Sequence, residues 1–155
     1  MAPTKLSLEK KTVRYFDDYG SGFQIRIFNA PLVKVRDEWV LAVDQNKLRT
    51  SLLESLARKP VRLTGSEIRY IRNAFEMTAM EFAEKFYVSH NTVIKWERCR
   101  VRKTGMAWPM EKDIRLFVAS KLLPEPASFL AAYKELEEKA DDSEMLIKID
   151  GGKIA

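Results

Sequence analysis

Between residues 13 and 43 apolar and polar side chains alternate with a period of two, which turns one face of each extended segment inward and the other to solvent. Phe23, Ile25 and Ile27 alternate with Gln24, Arg26 and Phe28. Leu32, Val33 and Val35 follow, and then the run from Trp39 to Val43. Tyr15-Phe16 adds a further short stretch, and turn formers stand between the segments at Asp18, Gly20 and Gly22, at Asn29-Ala30-Pro31 and at Arg36-Asp37-Glu38. The pattern predicts a small antiparallel meander. A sheet of that size is marginal alone and needs a covering element.

At Asp44 the period changes. Leu48, Leu52 and Leu56 stand at i, i+4 and i+8, which predicts a helix capped by Asp44, running to about Lys59 and covering the sheet with one apolar face. Pro60 ends it, because the residue before a proline is driven out of the helical region. A boundary near residues 59–63 follows, separating residues 1–62 from residues 63–140. Beyond it, Thr64-Gly-Ser-Glu67 and Thr78-Ala-Met-Glu81 both match the capping box, so two helices begin fourteen residues apart. The first carries Ile68, Ile71 and Phe75 on one stripe, and the second Phe82, Ala83 and Phe86. Pro109 suits the first position of a further helix with Ile114, Phe117, Val118 and Leu122 inward. Pro124 and Pro126 separate it from a last helix with Phe129, Tyr133 and Leu136 inward. The fold class expected is α+β: a small N-terminal antiparallel sheet with a covering helix, then an all-α five-helix region. Residues 141–155, an acidic DDSE followed by MLIKIDGGKIA, either dock on the sheet as a short strand or fray as a tail.

Composition narrows the classes. With 46% hydrophobic and 32% charged residues in 155, the chain is ordinary for a globular protein, and no internal repeat or low-complexity run interrupts it. The net charge of +5 favours an anionic partner, and its distribution says more than its size. Residues 1–62 hold 12 Lys/Arg against 7 Asp/Glu, residues 63–104 hold 8 against 5, and residues 105–155 hold 7 against 10. One cysteine, Cys99, excludes an intrachain disulfide, and with the single histidine, His90, leaves too few soft ligands for a structural zinc site. No metal or cofactor is expected. The opening MAPTKLSLEKKTVR has no apolar core of signal-peptide length, and nowhere do eighteen apolar residues run together. A cytoplasmic protein without membrane contact is expected. No phosphate-binding glycine loop, Ser/His/Asp or Cys/His arrangement or apolar acid pair is present, which speaks against an enzyme.

Residues 78–98, TAMEFAEKFYVSHNTVIKWER, point most directly to a function. Two helices joined by a tight turn need a small residue in the first, apolar contacts on both and a cap at the second. Ala83 supplies the small residue; Phe82, Phe86, Val88, Val93 and Trp96 fill the apolar positions, and Ser89 sits where a side-chain oxygen caps the next helix. That leaves His90, Asn91, Thr92 and Lys95 on the exposed face of helix 89–98, with Asn91 and Lys95 first in rank as base readers. Asparagine can pair in bidentate fashion with adenine, lysine can donate to guanine, and a threonine methyl can touch thymine. Arg98, Arg100, Arg102 and Lys103 are expected in the loop that follows, where five basic residues from Lys95 to Lys103 meet one acid, Glu97. Phosphates are their natural partners, as they are for the hydroxyls of Thr78 and Ser89.

On these residues the chain resembles the Xre/Cro-type helix-turn-helix family, over about residues 64–122. The family pattern of Ser-Gln, Leu-Ala, Gly-Val-Ser and Trp-Glu is echoed by Thr78-Ala79, Phe82-Ala83, Tyr87-Val88-Ser89 and Trp96-Glu97. Two departures stand out. Ala79 replaces a glutamine that contacts DNA, and Tyr87 replaces the turn glycine. A tyrosine forced to positive φ is strained, which predicts a changed turn geometry.

With the junction KPVRLTGSEIRYIRNAF and the motif SHNTVIKWE, the chain also resembles MqsA-type (YgiT-like) antitoxins. That resemblance implies a homodimeric repressor that reads palindromic double-stranded operator DNA through an Asn and an Arg on the recognition helix, here Asn91 and, conservatively changed, Lys95. It also implies a toxin protein as a second partner. The family binds zinc through paired C-x-x-C motifs in its N-terminal domain, and this chain has none. The competing expectation is a protein-interaction module that sequesters a toxin or other partner through the sheet region, with weak or no DNA binding.

Overall fold

A computed structural model describes residues 8–155, so the first half of the opening MAPTKLSLEKKTVR, with its expected lack of a signal-type core, lies outside the described residues. β1 (Lys10–Asp18) pairs antiparallel with β2 (Ile25–Val35), and β2 with β3 (Glu38–Leu41). The β2–β3 connection is the two-residue turn Arg36-Asp37, with φ of +49° and +65°. Two consecutive positive φ values match the twist of the flanking strands, which is why so short a turn closes this hairpin.

The expected turn at Asn29-Ala30-Pro31 is instead a kink inside β2. Asn29 adopts φ +50°, yet the register with β1 continues across it, Val13 facing Ala30 and Tyr15 facing Phe28. Below the kink β2 is paired by a late strand, β4 (Ile147–Asp150), and above it by β3. Pairing on both edges keeps in the strand a segment whose residues alone favour reversal.

β4 runs parallel to β2, so the sheet is mixed rather than antiparallel. The strand alternative for residues 141–155 is therefore the one adopted: Ile147 and Ile149 are buried, a short 3-10 turn spans Gly151–Lys153, and Ile154 is fully buried. A Cβ on Gly151 would lie 2.6 Å from the Asn29 carbonyl oxygen, so the tail needs glycine to cross the kink.

α1 (Gln45–Ala57) is capped by Asp44, whose carboxylate accepts the Asn46 and Lys47 N–H groups. Its Leu48, Leu52 and Leu56 are buried as expected. Five helices follow before β4: α2 (Gly65–Ala74), α3 (Ala79–Lys85), α4 (His90–Arg98), α5 (Trp108–Leu122) and α6 (Pro126–Glu135). In α6 the buried position is Ala132, with Leu136 buried at its C-cap, and not Tyr133, whose ring lies outside beneath the Lys112 ammonium. One apolar cluster joins Ile25 and Ile27 of the sheet, Leu52 and Leu56 of α1, and Ile68, Phe82, Val93 and Ile114 of the later helices.

Residues 59–63 are themselves mostly buried. Lys59 Nζ donates to both oxygens of Glu67, at 2.7 and 2.9 Å. Arg62 and Arg115 both donate to Glu111, which also accepts the Leu63 N–H. Arg115 reaches the Lys59 and Val61 carbonyls as well. Burial pushes its guanidinium pKa down, against the opposing pull of Glu111.

Candidate nucleic-acid interface

The orientation of α4 is set from three sides. Trp96 and Val93 are buried, which fixes its inner face. At its C-terminal end α2 comes very near: a Cβ on Gly65 would stand 2.2 Å from the Trp96 carbonyl oxygen and 2.8 Å from Arg100 N. Only a residue without a side chain permits that approach. Arg72 of α2 then grips Glu97 through two bonds of 2.8 Å and donates a third to the Met77 carbonyl, tying α2, the α2–α3 turn and α4 together.

Both helices of the pair start on threonine or serine caps. Thr78 Oγ1 accepts the Glu81 N–H at 3.1 Å. Ser89 Oγ accepts the Thr92 N–H at 3.1 Å and lies 2.8 Å from Thr92 Oγ1. The α3–α4 turn keeps the geometry a glycine would give: Tyr87 sits at φ +57°, its N–H on the Glu84 carbonyl and the Val88 N–H on the Ala83 carbonyl. That is the Schellman closure of a helix, in which the residue after the cap must be left-handed. The expected change of turn does not occur, because two backbone hydrogen bonds and the burial of Phe86 and Ala83 outweigh the strain on one residue.

Of the residues expected to read bases, His90, Asn91 and Lys95 are exposed on α4, whereas Thr92 is half-buried with its hydroxyl engaged at the cap. Of those expected to meet phosphates, Thr78 and Ser89 are exposed but serve as caps. Arg98 lies in α4 itself rather than in the loop, on the same i, i+4, i+7 stripe as Asn91 and Lys95. Arg100, Arg102 and Lys103 are exposed on a loop whose backbone is bonded to α2: the Arg100 and Arg102 carbonyls accept the Ser66 and Gly65 N–H groups. The loop's cations divide between two grooves. Arg100 lines one with Arg49, Arg69 and Tyr70; Arg102 and Lys103 line another with Lys59 and Arg62.

Among the described residues, none of Lys95, Arg98, Arg100, Arg102 and Lys103 forms a salt bridge. The acid in their midst, Glu97, is turned away onto Arg72. Comparison with protein-family models, curated proteins and solved structures finds no match. A zinc centre in the sheet region does not fit this chain: its one cysteine, Cys99, follows α4 with Sγ directed at the Lys95 carbonyl, and no cluster of three ligating side chains forms among the described residues. No described helix is long and apolar enough to cross a membrane.

Sequence reasoning missed Gly65, Arg72 and Glu97 as the parts that aim α4. Gly65 was visible only as a filler inside a capping box, and Glu97 only as a charge count and as half of the Trp-Glu echo. The place of Arg98 could have been found, since it falls seven residues from Asn91 and three from Lys95.

Proposed function

We propose that this chain is a sequence-specific DNA-binding transcriptional repressor that lays α4 in the major groove, in the manner of an Xre/Cro-type helix-turn-helix. The observation that carries it is the stripe Asn91, Lys95 and Arg98 on a helix whose opposite face is locked by Val93 and Trp96. Amide, ammonium and guanidinium tips are the groups that read base edges, and among the described residues neither Lys95 nor Arg98 forms an ion pair. His90 and the Thr92 methyl flank them. Arg100, Arg102 and Lys103, with the caps at Thr78 and Ser89, supply phosphate contacts around the reading helix.

The repressor acts as a cytoplasmic homodimer on a two-fold operator, its reading helices about 34–36 Å apart to meet successive major-groove faces. Its biological setting is the autoregulation of a toxin–antitoxin operon, with the toxin held elsewhere on the chain. No chemistry is catalysed.

Selection from a random-sequence duplex library, followed by titration of the winning duplex, tests this. The wild type should enrich a two-fold site, and Asn91→Ala and Lys95→Ala should each lose about 1–3 kcal/mol of discrimination against substituted bases. Enrichment of the same site by the double variant would remove both residues from the reading role.

A further inference from the structure

Tyr87 is poorly suited to its place in this chain. Its backbone is held left-handed by the bonds from Tyr87 N–H to Glu84 and from Val88 N–H to Ala83, a conformation glycine takes freely and an aromatic residue does not. Two other helix ends share the geometry, at Glu76 (φ +56°) and Arg100 (φ +53°), but both put solvated charges there. Tyr87 adds a second cost, because its ring is 96% exposed and takes part in none of the aromatic or cation–π contacts of the described residues. A ring this exposed, on a strained backbone, contributes little to the packing of the molecule. Residues held this way cluster where a ligand is engaged.

Its position says which ligand. Tyr87 stands two residues before the Ser89 cap, at the end of α4 that carries exposed His90 and Asn91. We infer that Tyr87 is a DNA-backbone contact, its ring packed on a deoxyribose and its hydroxyl donating to a phosphate oxygen beside the groove that α4 enters. Such a contact fixes register and carries no sequence information. The inference rests on the DNA-binding function proposed above and adds a residue that departs from the glycine of the resembled family.

The test is a pair of measurements with opposite signs. Tyr87→Gly removes the strain and the ring together. It should raise the thermal midpoint by roughly 2–4 °C and weaken binding to the selected duplex about tenfold. Binding to a scrambled duplex should weaken in the same proportion. Tyr87→Phe keeps the ring and should lose about threefold, the share of the hydroxyl. If Tyr87→Gly is more stable and binds as the wild type does, Tyr87 is no DNA contact while the DNA-binding function stands. If it melts lower, the ring has an internal role and the inference fails at its premise. If the wild type enriches no duplex at all, the proposed function falls and this contact with it.

Discussion

Two groups of five charged side chains are handled in opposite ways. Lys59 and Arg62 of the α1–α2 junction, Glu67 of α2, and Glu111 and Arg115 of α5 are buried, and every one is bonded to a partner. Lys95 and Arg98 of α4, and Arg100, Arg102 and Lys103 of the loop after it, are exposed and none is paired within the described residues. The difference follows from solvation. A charge removed from water is tolerable only with a partner in place, so the buried group is committed to architecture. Water already satisfies the exposed group, which contributes little to folding and stays available to an anionic partner.

The largest effect should come from breaking the buried group. Glu111 accepts from Arg62, Arg115 and the Leu63 N–H, so Glu111→Ala strands two guanidiniums in the core and should cost about 3–5 kcal/mol in denaturant unfolding. A loss under about 1 kcal/mol would mean that water reaches this cluster. Next is Gly65→Ala, whose new methyl meets backbone at 2.2 Å and must push α2 from α4. It should cost about 1–3 kcal/mol and, on the proposed function, weaken duplex binding with it, since α2 aims α4. Unchanged stability would refute the close approach.

The exposed group should respond the other way. Arg102→Ala should leave the unfolding midpoint within about 0.5 kcal/mol of wild type, yet flatten the salt dependence of duplex binding by about one unit of slope. An unaltered slope would take Arg102 off the phosphate path.

Smallest is the surface pair of Arg58 and Glu135. Bonded to Arg58, the Glu135 carboxyl is held below its ordinary pKa of 4.5, so the pair stabilises above that value and fades as pH falls through the lowered one. Glu135→Gln should cost about 0.2–1 kcal/mol at pH 7, with the gap to wild type closing below pH 4.5. A gap that persists at low pH would show a contribution from packing rather than charge.

Local chemistry in the sequence was enough for the caps and inner faces of α1 to α5, though not for the inner face of α6. Asp44, Thr64, Thr78 and Ser89 cap helices as their side chains require, and the leucine, phenylalanine and isoleucine stripes of α1 to α5 are the faces that pack. The exposed Asn91 and Lys95 follow directly, because a helix with Val93 and Trp96 inward has no other place for them.

What tertiary structure alone decided is wherever distant residues meet. β4 joins β2 across more than a hundred residues, and that pairing turns an antiparallel sheet into a mixed one and a turn at Asn29 into a kink. Glu97 becomes a clamp only because Arg72 arrives from α2, and Gly65 becomes indispensable only because the end of α4 lies against it. Spacing along a chain encodes which face of an element is apolar, but the identity of the neighbour that covers it is set by the packing of all the elements at once.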